Sequence, residues 1–259
     1  VEVVVDNRYD PDVPTISADF TVFGGLYRDV WLIGRNAVAL TDANEAGKVA
    51  GGGLFVWTES LVPAEKAVVG VQSDVKNTSA KAVKVTVQSV LRDAEGKKVA
   101  QGSRSLTLKA GESAVAEQML SVKKPHAWST DDPYLYALET RVVQNGRTVD
   151  GGITRVGIRT IEWRRDGFYL NGKKRQMRGV NIHQEREGKG WAISEADITE
   201  DLEIVKCMGA DAVRGAHYSH SQRYYDECAR LGIMSIVEFP AGSYVKTNGL
   251  YLSRLKGLV

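Results

Sequence analysis

DAVRGAHYSHSQRYYDECARLGIMSIVEF, residues 211–239, decides the fold. It divides into three pieces. DAVRGAH (211–217) is short and apolar except for its arginine and its ends, SQRYYDECARLG (221–232) runs to a closing glycine, and IMSIVEF (233–239) is apolar again. The pattern predicts strand, helix, strand. Upstream, MRGVNIH (177–183) predicts a further strand. The helix after it takes Ser194 as N-cap, with Asp197 three residues on, and Gly209 as C-cap; Ile198, Leu202 and Val205 fall on one face. Strands alternating with helices of this length make βαβ units, and hence a parallel sheet.

All strands of such a sheet point the same way, and ligands bind where their carboxyl ends emerge. His183 ends the first strand, Arg214 and His217 fall at the end of the second, and Glu238 ends the third. Neighbouring strands lie about 4.8 Å apart, so these groups are expected within roughly 10 Å of one another on one rim. Each has a plainer reading when taken singly, because a histidine at a strand end is commonly structural. Arg214 is harder to dismiss: a guanidinium inside an apolar strand needs a carboxylate partner, which the fold must bring from elsewhere. His217 and His220, with Glu185 elsewhere, suggest a metal set. His220 lies past the strand, near a helix start, and reads as solvent-facing or as a cap, so no metal site is expected.

The first two-thirds of the chain read as strands. VEVVV (1–5) has a strand pattern, and FTVFGGLYRDVWLI (20–33) gives a glycine-interrupted, aromatic-rich β pattern. AVKVTVQSVL (82–91) alternates, with Val83, Val85, Val87, Ser89 and Leu91 on one face and Lys84, Thr86 and Gln88 on the other. That is a half-buried strand of a sheet with one wet face. AEGK, KAGES and QNGR supply turns, and Asn145-Gly146 suits a type I′ hairpin because both residues tolerate positive φ. Short strands recurring over residues 36–160 predict a β-sandwich of immunoglobulin type, without its paired-cysteine signature. Lys97-Lys98 and Lys123-Lys124 read as solvated sheet edges. Further on, Asp166-Gly167 and Asn171-Gly172 are tight turns bracketing a three-residue strand.

The 259 residues hold 43% apolar and 25% charged side chains with a formal charge of +2, the profile of a globular chain with a sizeable core. There is no basic run interleaved with aromatics, so nucleic acid is not an expected partner. No stretch approaches the ~20 apolar residues that span a bilayer, so no membrane association is expected. VEVVVDNRYD lacks the basic start, apolar run and cleavage site of a signal peptide, and the chain is expected to begin inside a larger protein. Two cysteines, Cys207 and Cys228, both in apolar helical contexts, read as buried small hydrophobes. The compartment stays open between cytoplasm and periplasm.

With these motifs in place, the chain resembles glycoside hydrolase family 2, above all its β-galactosidases. The likeness runs nearly end to end. FGGLYRDVWL (23–32) is similar to the end of the family's jelly-roll sugar-binding domain. AWSTDDPYLYALET (127–140), with GIRTIEW and GFYLNGK after it, is similar to the immunoglobulin-like second domain and its junction with the barrel. RGVNIHQERE (178–187), the stretch 209–233 and VEFP (237–240) are similar to the first three strands and two helices of the catalytic (β/α)8 TIM barrel. The implied division is residues 1–35 jelly-roll tail, 36–160 immunoglobulin-like sandwich and 161–259 incomplete barrel. The HQ-acid-R run followed by AHYSHSQ points to β-galactosidases rather than to glucuronidases or mannosidases.

The resemblance implies roles for single residues. His183 and His217 would line the sugar subsite, Arg214 would hold the nucleophilic carboxylate ionised, and Asp6 would reach the sugar hydroxyls. Trp191, in the loop after the first strand, reads as a sugar-stacking aromatic or as a packed loop anchor. Glu238 is a subsite candidate but neither catalytic group. The implied activity is retaining hydrolysis of terminal β-D-galactosides, which needs two carboxyl groups about 5–5.5 Å apart. In the family the acid/base is the Glu of an Asn-Glu pair; the only such pair here, Asn44-Glu45, reads as a chance match in a turn. A full barrel takes ~250 residues, and only 88 follow Asn171 (259 − 171). This segment alone is therefore expected to be inactive, with no cofactor. Gly242 stands where some relatives carry a magnesium-binding Glu, so no metal is expected there either. Glu185 stands where close relatives often have Asp. The expected partners are β-galactoside sugars and, for the intact enzyme, further copies of itself. The alternatives are a non-catalytic carbohydrate-binding or scaffold protein, and a β-glucuronidase or β-mannosidase of the same family.

Overall fold

Alternating β-branched residues and glycine turns account for the first unit, residues 33–176. The computed structural model describes residues 1–13, 21–42, 46, 52–240 and 246–256. One sheet is built on β3 (Lys66–Asn77). It pairs along one edge with β1 (Val38–Leu40) and β2 (Leu54–Val62), and along the other with β6 (Ser113–Lys123), all antiparallel. The second sheet has the order β5 (Lys98–Leu108), β4 (Val83–Arg92), β7 (Tyr136–Gln144), β8 (Arg147–Val156). Val85, Val87, Ser89 and Leu91 are buried on β4, while Lys84 and Gln88 face water, as the alternation requires. Val69, Val71 and Leu120 from one sheet meet Leu91 and Leu138 from the other, which closes an immunoglobulin-like sandwich. Lys98 and Lys123 lie on β5 and β6, both edge strands, where charge disfavours further pairing.

The turns follow their sequences. Asn145 and Gly146 take φ of 50° and 75°, and Asn171 and Gly172 take 52° and 74°, the paired positive angles of a type I′ hairpin. Asn171-Gly172 joins β10 (Gly167–Leu170) to β11 (Lys173–Arg175), and Arg165-Asp166 joins it to β9 (Ile161–Arg164), one residue earlier than the expected Asp166-Gly167 turn. The bracketed strand thus has four residues where three were expected.

The second unit comprises residues 1–32 and 177–259. Its sheet runs β12 (Gly179–Ile182), β13 (Ala212–Gly215), β14 (Met234–Val237), parallel throughout. Each strand is shorter at both ends than the apolar run that predicted it, because a residue counts only where the ladder is formed. Helix α1 (Glu195–Cys207) starts at Ser194 with a full capping box to Asp197. Gly209, at φ 81°, ends it just past the cap at Met208. Helix α2 (Gln222–Leu231) ends on Gly232, at φ 72°. Ile198, Leu202 and Val205 from α1, with Tyr224 and Cys228 from α2, pack on Val213 and Ile233 as one core. Beyond β14 no further strand pairs among the described residues, and Ile236 and Val237 are exposed.

Several expectations are corrected. Neither residues 1–5 nor the described part of 20–33 forms a strand. β propensity becomes a strand only beside a partner, and here Val1, Val3, Val4 and Val5 are exposed. Cys207 is exposed and only Cys228 is buried, where burial pushes the thiol up to about 12. The chain's last described stretch is a helix, α3 (Gly249–Lys256), opened by Asn248 Oδ1 accepting the Tyr251 N–H at 2.8 Å. Asn44-Glu45 and Gly242 lie outside the described residues.

Candidate active site

Register brings the polar strand ends together. Ile182, Gly215 and Val237 stand level at the carboxyl ends of β12, β13 and β14. Side chains alternate across a sheet, so Val180, Val213 and Ser235 share the helix-covered face, while Asn181, Arg214 and Ile236 share the other. His183 and Glu238, each one residue past its strand, continue that second face. Glu238 therefore stands one pleat repeat above Arg214, within reach of its guanidinium.

The bond is made: Arg214 Nε donates to Glu238 Oε1 at 2.6 Å. The other carboxylate oxygen, Oε2, lies 2.9 Å from His217 Nδ1, and Arg214 Nη2 lies 3.1 Å from the same nitrogen. Burial pushes the Glu238 carboxyl up, but hydrogen bonds from Arg214 and His217, and their charge, overcome it and hold the group below its ordinary value. His183 meets His217 edge-on at 5.4 Å between ring centres. Tyr218 supports it: the Tyr218 hydroxyl lies 3.3 Å from His183 Nδ1 and accepts the Gln184 N–H at 3.1 Å.

The sequence therefore named four of the groups that gather here: His183, Arg214, His217 and Glu238. Arg214 has the carboxylate partner its place in an apolar strand called for: Glu238, one residue past the adjacent strand, although its side chain is 38% exposed rather than buried. His220 is corrected. It is 7% exposed, its ring lies between Tyr218 and Tyr224 at 5.4 and 4.4 Å, and burial lowers it to about 4; the cap of α2 is Ser221. Trp191 is a packed anchor, 8% exposed, with Phe23, Tyr27 and Tyr218 at 5.8, 5.2 and 4.8 Å. Asp6 is not brought into the cluster by any hydrogen bond: its carboxylate is taken by Arg8, whose Nε donates at 3.0 and 2.9 Å.

Tyr218 and Arg28 were not singled out from the sequence. Arg28, inside the FGGLYRDVWL stretch, donates from Nη2 to Gln184 Oε1 at 2.5 Å and to the Ser219 carbonyl at 2.7 Å, and so ties the two strand-end loops together. Its place, beside Asp29, in a motif otherwise apolar and aromatic was the available signal. A cavity of about 530 Å³ opens beside the cluster, lined by Tyr27, Arg28, His183, Gln184 and Trp191 among others. His183 belongs to both cavity and cluster; Arg214, His217 and Glu238 do not line the cavity.

An immunoglobulin-like sandwich followed in sequence by strands and helices of a parallel βα array, with ionisable groups at the strands' carboxyl ends, defines the class: a sandwich-bearing protein with a parallel βα domain. Residues 55–159 match the family model described as glycosyl hydrolases family 2, and residues 161–254 match that family's TIM barrel domain. The chain belongs to glycosyl hydrolases family 2. A β-galactosidase of Bacteroides ovatus is 36% identical over 237 residues, 91% of this chain and 26% of its own length. A β-glucuronidase of Bacteroides fragilis is 29% identical over 243 residues, 93% of this chain and 34% of its own. Among solved structures, a β-glucuronidase of Bacteroides uniformis superposes with a TM-score of 0.87 at 29% identity, covering 96% of this chain and 30% of that one. The chain thus spans about a quarter to a third of the length of these relatives.

Proposed function

We propose that this chain is part of a retaining glycoside hydrolase that cleaves terminal β-D-galactosides, with residues 161–259 supplying the sugar-facing rim of its barrel domain. The observation that carries the reading is the joining of Arg214, His217 and Glu238, with His183 alongside, at the carboxyl ends of three parallel strands. In a family that acts on glycosides, that rim is where a sugar is bound. His183 and His217 are the direct sugar ligands in this reading. Asp6 would join them only by leaving Arg8. The tail over residues 1–35 is assigned to a jelly roll on the resemblance alone.

Catalysis of this kind uses two carboxyl groups about 5–5.5 Å apart. Glu238 is engaged through both oxygens by Arg214 and His217, which suits a group that orders the site rather than one that attacks or protonates. The nucleophile and acid/base are therefore assigned to residues outside this segment, and the segment alone should bind without cleaving.

A β-glucuronidase is the second reading, favoured by one observation: proteins of that name stand beside β-galactosidases among the relatives at comparable identity. Arg214 does not separate the non-catalytic alternative from an enzyme, because it finds a carboxylate partner, Glu238, within this chain. Titrating the chain with galactose and with glucuronate, and following the ring signals of His183 and His217, separates these readings. Shifts with galactose alone support the galactosidase, and shifts with glucuronate alone replace it with the glucuronidase. No shift with either sugar removes the site. Release of nitrophenol from a nitrophenyl β-D-galactoside by this chain would overturn the assignment of catalysis to residues outside it.

A further inference from the structure

We propose that the sandwich core encloses ordered water, held between its two sheets by a layer of four buried polar side chains: Ser73, Ser89, Gln118 and Thr140. The layer lies wholly within residues 33–176 and is independent of the glycoside reading.

The strands set these residues at one level of the core. On β4, Leu91 belongs to one apolar cluster and Val87 to another, with Ser89 between them. Val71, Ser73 and Val75 repeat the pattern on β3, and Gln118 and Thr140 take the matching places on β6 and β7. Register brings them near one another. Ser89 stands opposite Thr140 on one side and Gly102 on the other. Ser73 is the diagonal neighbour of Gln118, since Val71 pairs with Gln118 and Ser73 with Ala116. The polar layer therefore divides the core of the sandwich in two.

Gln118 is 6% exposed, Thr140 1%, and the two serines are fully buried. Ser73 Oγ, Ser89 Oγ, Thr140 Oγ1 and both amide atoms of Gln118 have no hydrogen-bond partner among the described residues. Buried polar groups are nearly always bonded, to protein or to ordered water, because a bare one has given up its hydration for nothing. Five such atoms in one layer, drawn from both sheets, point to a shared partner. The layer also has room for one. The levels on either side are filled largely by valine and leucine, whereas this one holds two serines, a threonine and Gly102. Only Gln118 is long, and its side chain lies along Gly102, where a Cβ would stand 2.7 Å from Oε1. Gly102 is opposite Ser89, so the amide is carried from β6 towards the hydroxyls of the facing sheet. Water can both donate and accept, as the amide and the hydroxyls require, and two to four polar partners are what an internal water needs.

A crystal structure of the chain at a resolution that shows ordered water tests this. The expected result is water density within about 2.7–3.2 Å of the Gln118 amide and of Ser89 or Thr140 on the facing sheet. Direct bonds between the amide and those hydroxyls, with no density between them, overturn the proposal, as does a layer closed by carbon contacts alone. In solution, oxygen-17 relaxation dispersion reads how many waters stay longer than the protein takes to tumble. Gln118→Met combined with Thr140→Val nearly keeps the size of both side chains and removes three of the five polar atoms. The dispersion amplitude should fall by at least one water's contribution relative to the unsubstituted chain, and equal amplitudes overturn the proposal. If the double variant fails to fold, the crystal structure of the unsubstituted chain still decides. Neither readout involves the cluster at the strand ends.

Discussion

Glu238 accepts from Arg214 at 2.6 Å through one oxygen and lies 2.9 Å from His217 Nδ1 through the other, so one carboxylate from the end of β14 ties down both ionisable groups at the end of β13. The arrangement follows from in-register parallel strands whose alternate residues share a face. It gives the site a pH dependence with a definite sign.

Glu238→Gln removes the charge while keeping the shape. The folded protein holds this carboxyl below its ordinary value of 4.5, against the upward push of burial. A depressed carboxyl contributes stability that is present above the unfolded value and lost as pH falls through the folded one. The variant should therefore unfold at lower urea than the parent at pH 7, and the gap should narrow as pH falls below 4.5. A gap that is constant across that range would mean the charge is not what matters.

His220 carries the opposite kind of titration. Burial between Tyr218 and Tyr224 lowers it from 6.5 to about 4. Below pH 6.5 the unfolded chain takes up a proton that the folded chain refuses, so stability falls until pH reaches about 4. A shift of that size corresponds to on the order of 3 kcal/mol. His220→Phe, which keeps an aromatic in the stack, should flatten the stability profile between those two pH values. An unchanged profile would place the slope in some other group.

How far such groups were legible depended on what fixes them. The α1 capping box was readable because Ser194 and Asp197 are three residues apart and answer only to local backbone geometry. The gathering of His183, Arg214 and Glu238 was readable because three strands separated by two helices imply a common rim. The partner of Arg214 was not, because reach between β13 and β14 depends on register. His220 was misread for a related reason: its sequence position beside Ser221 suggests a helix start, while its burial is decided by Tyr218 and Tyr224. VEVVV has the residues of a strand, but a ladder needs a second strand, which the residues themselves do not supply.

The capping box carries its own test. Ser194 Oγ accepts the Asp197 N–H at 3.3 Å, and Asp197 Oδ2 accepts the Ser194 N–H at 2.8 Å. Ser194→Ala should cost about 1 kcal/mol by urea denaturation. Asp197 is held well below the ordinary carboxylate range, first by Lys189 and then by the Ser194 backbone and hydroxyl. Asp197→Asn should therefore weaken the protein at pH 7, with a penalty that shrinks as pH falls below 3.8, the group's ordinary value. Equal penalties at neutral and strongly acid pH would show that shape, not charge, holds this helix start.

Leu202 tests whether the two helices and the parallel sheet form one cooperative core. It is completely buried, with Ile198 and Val205 beside it on α1 and the α2 residues Tyr224 and Cys228 in the same cluster against Val213. Leu202→Ala removes three carbons from a packed interior, and such truncations cost about 2–5 kcal/mol because the space left behind closes only in part. Cys228 provides the readout: its thiol is buried and reacts only when the core opens. In the variant the labelling rate of Cys228 should rise by the factor that the stability loss dictates, about tenfold for each 1.4 kcal/mol, while exposed Cys207 labels at its original rate. A Cys228 rate that does not move would mean that α1 can loosen without α2, and that the parallel-sheet core is not one cooperative unit.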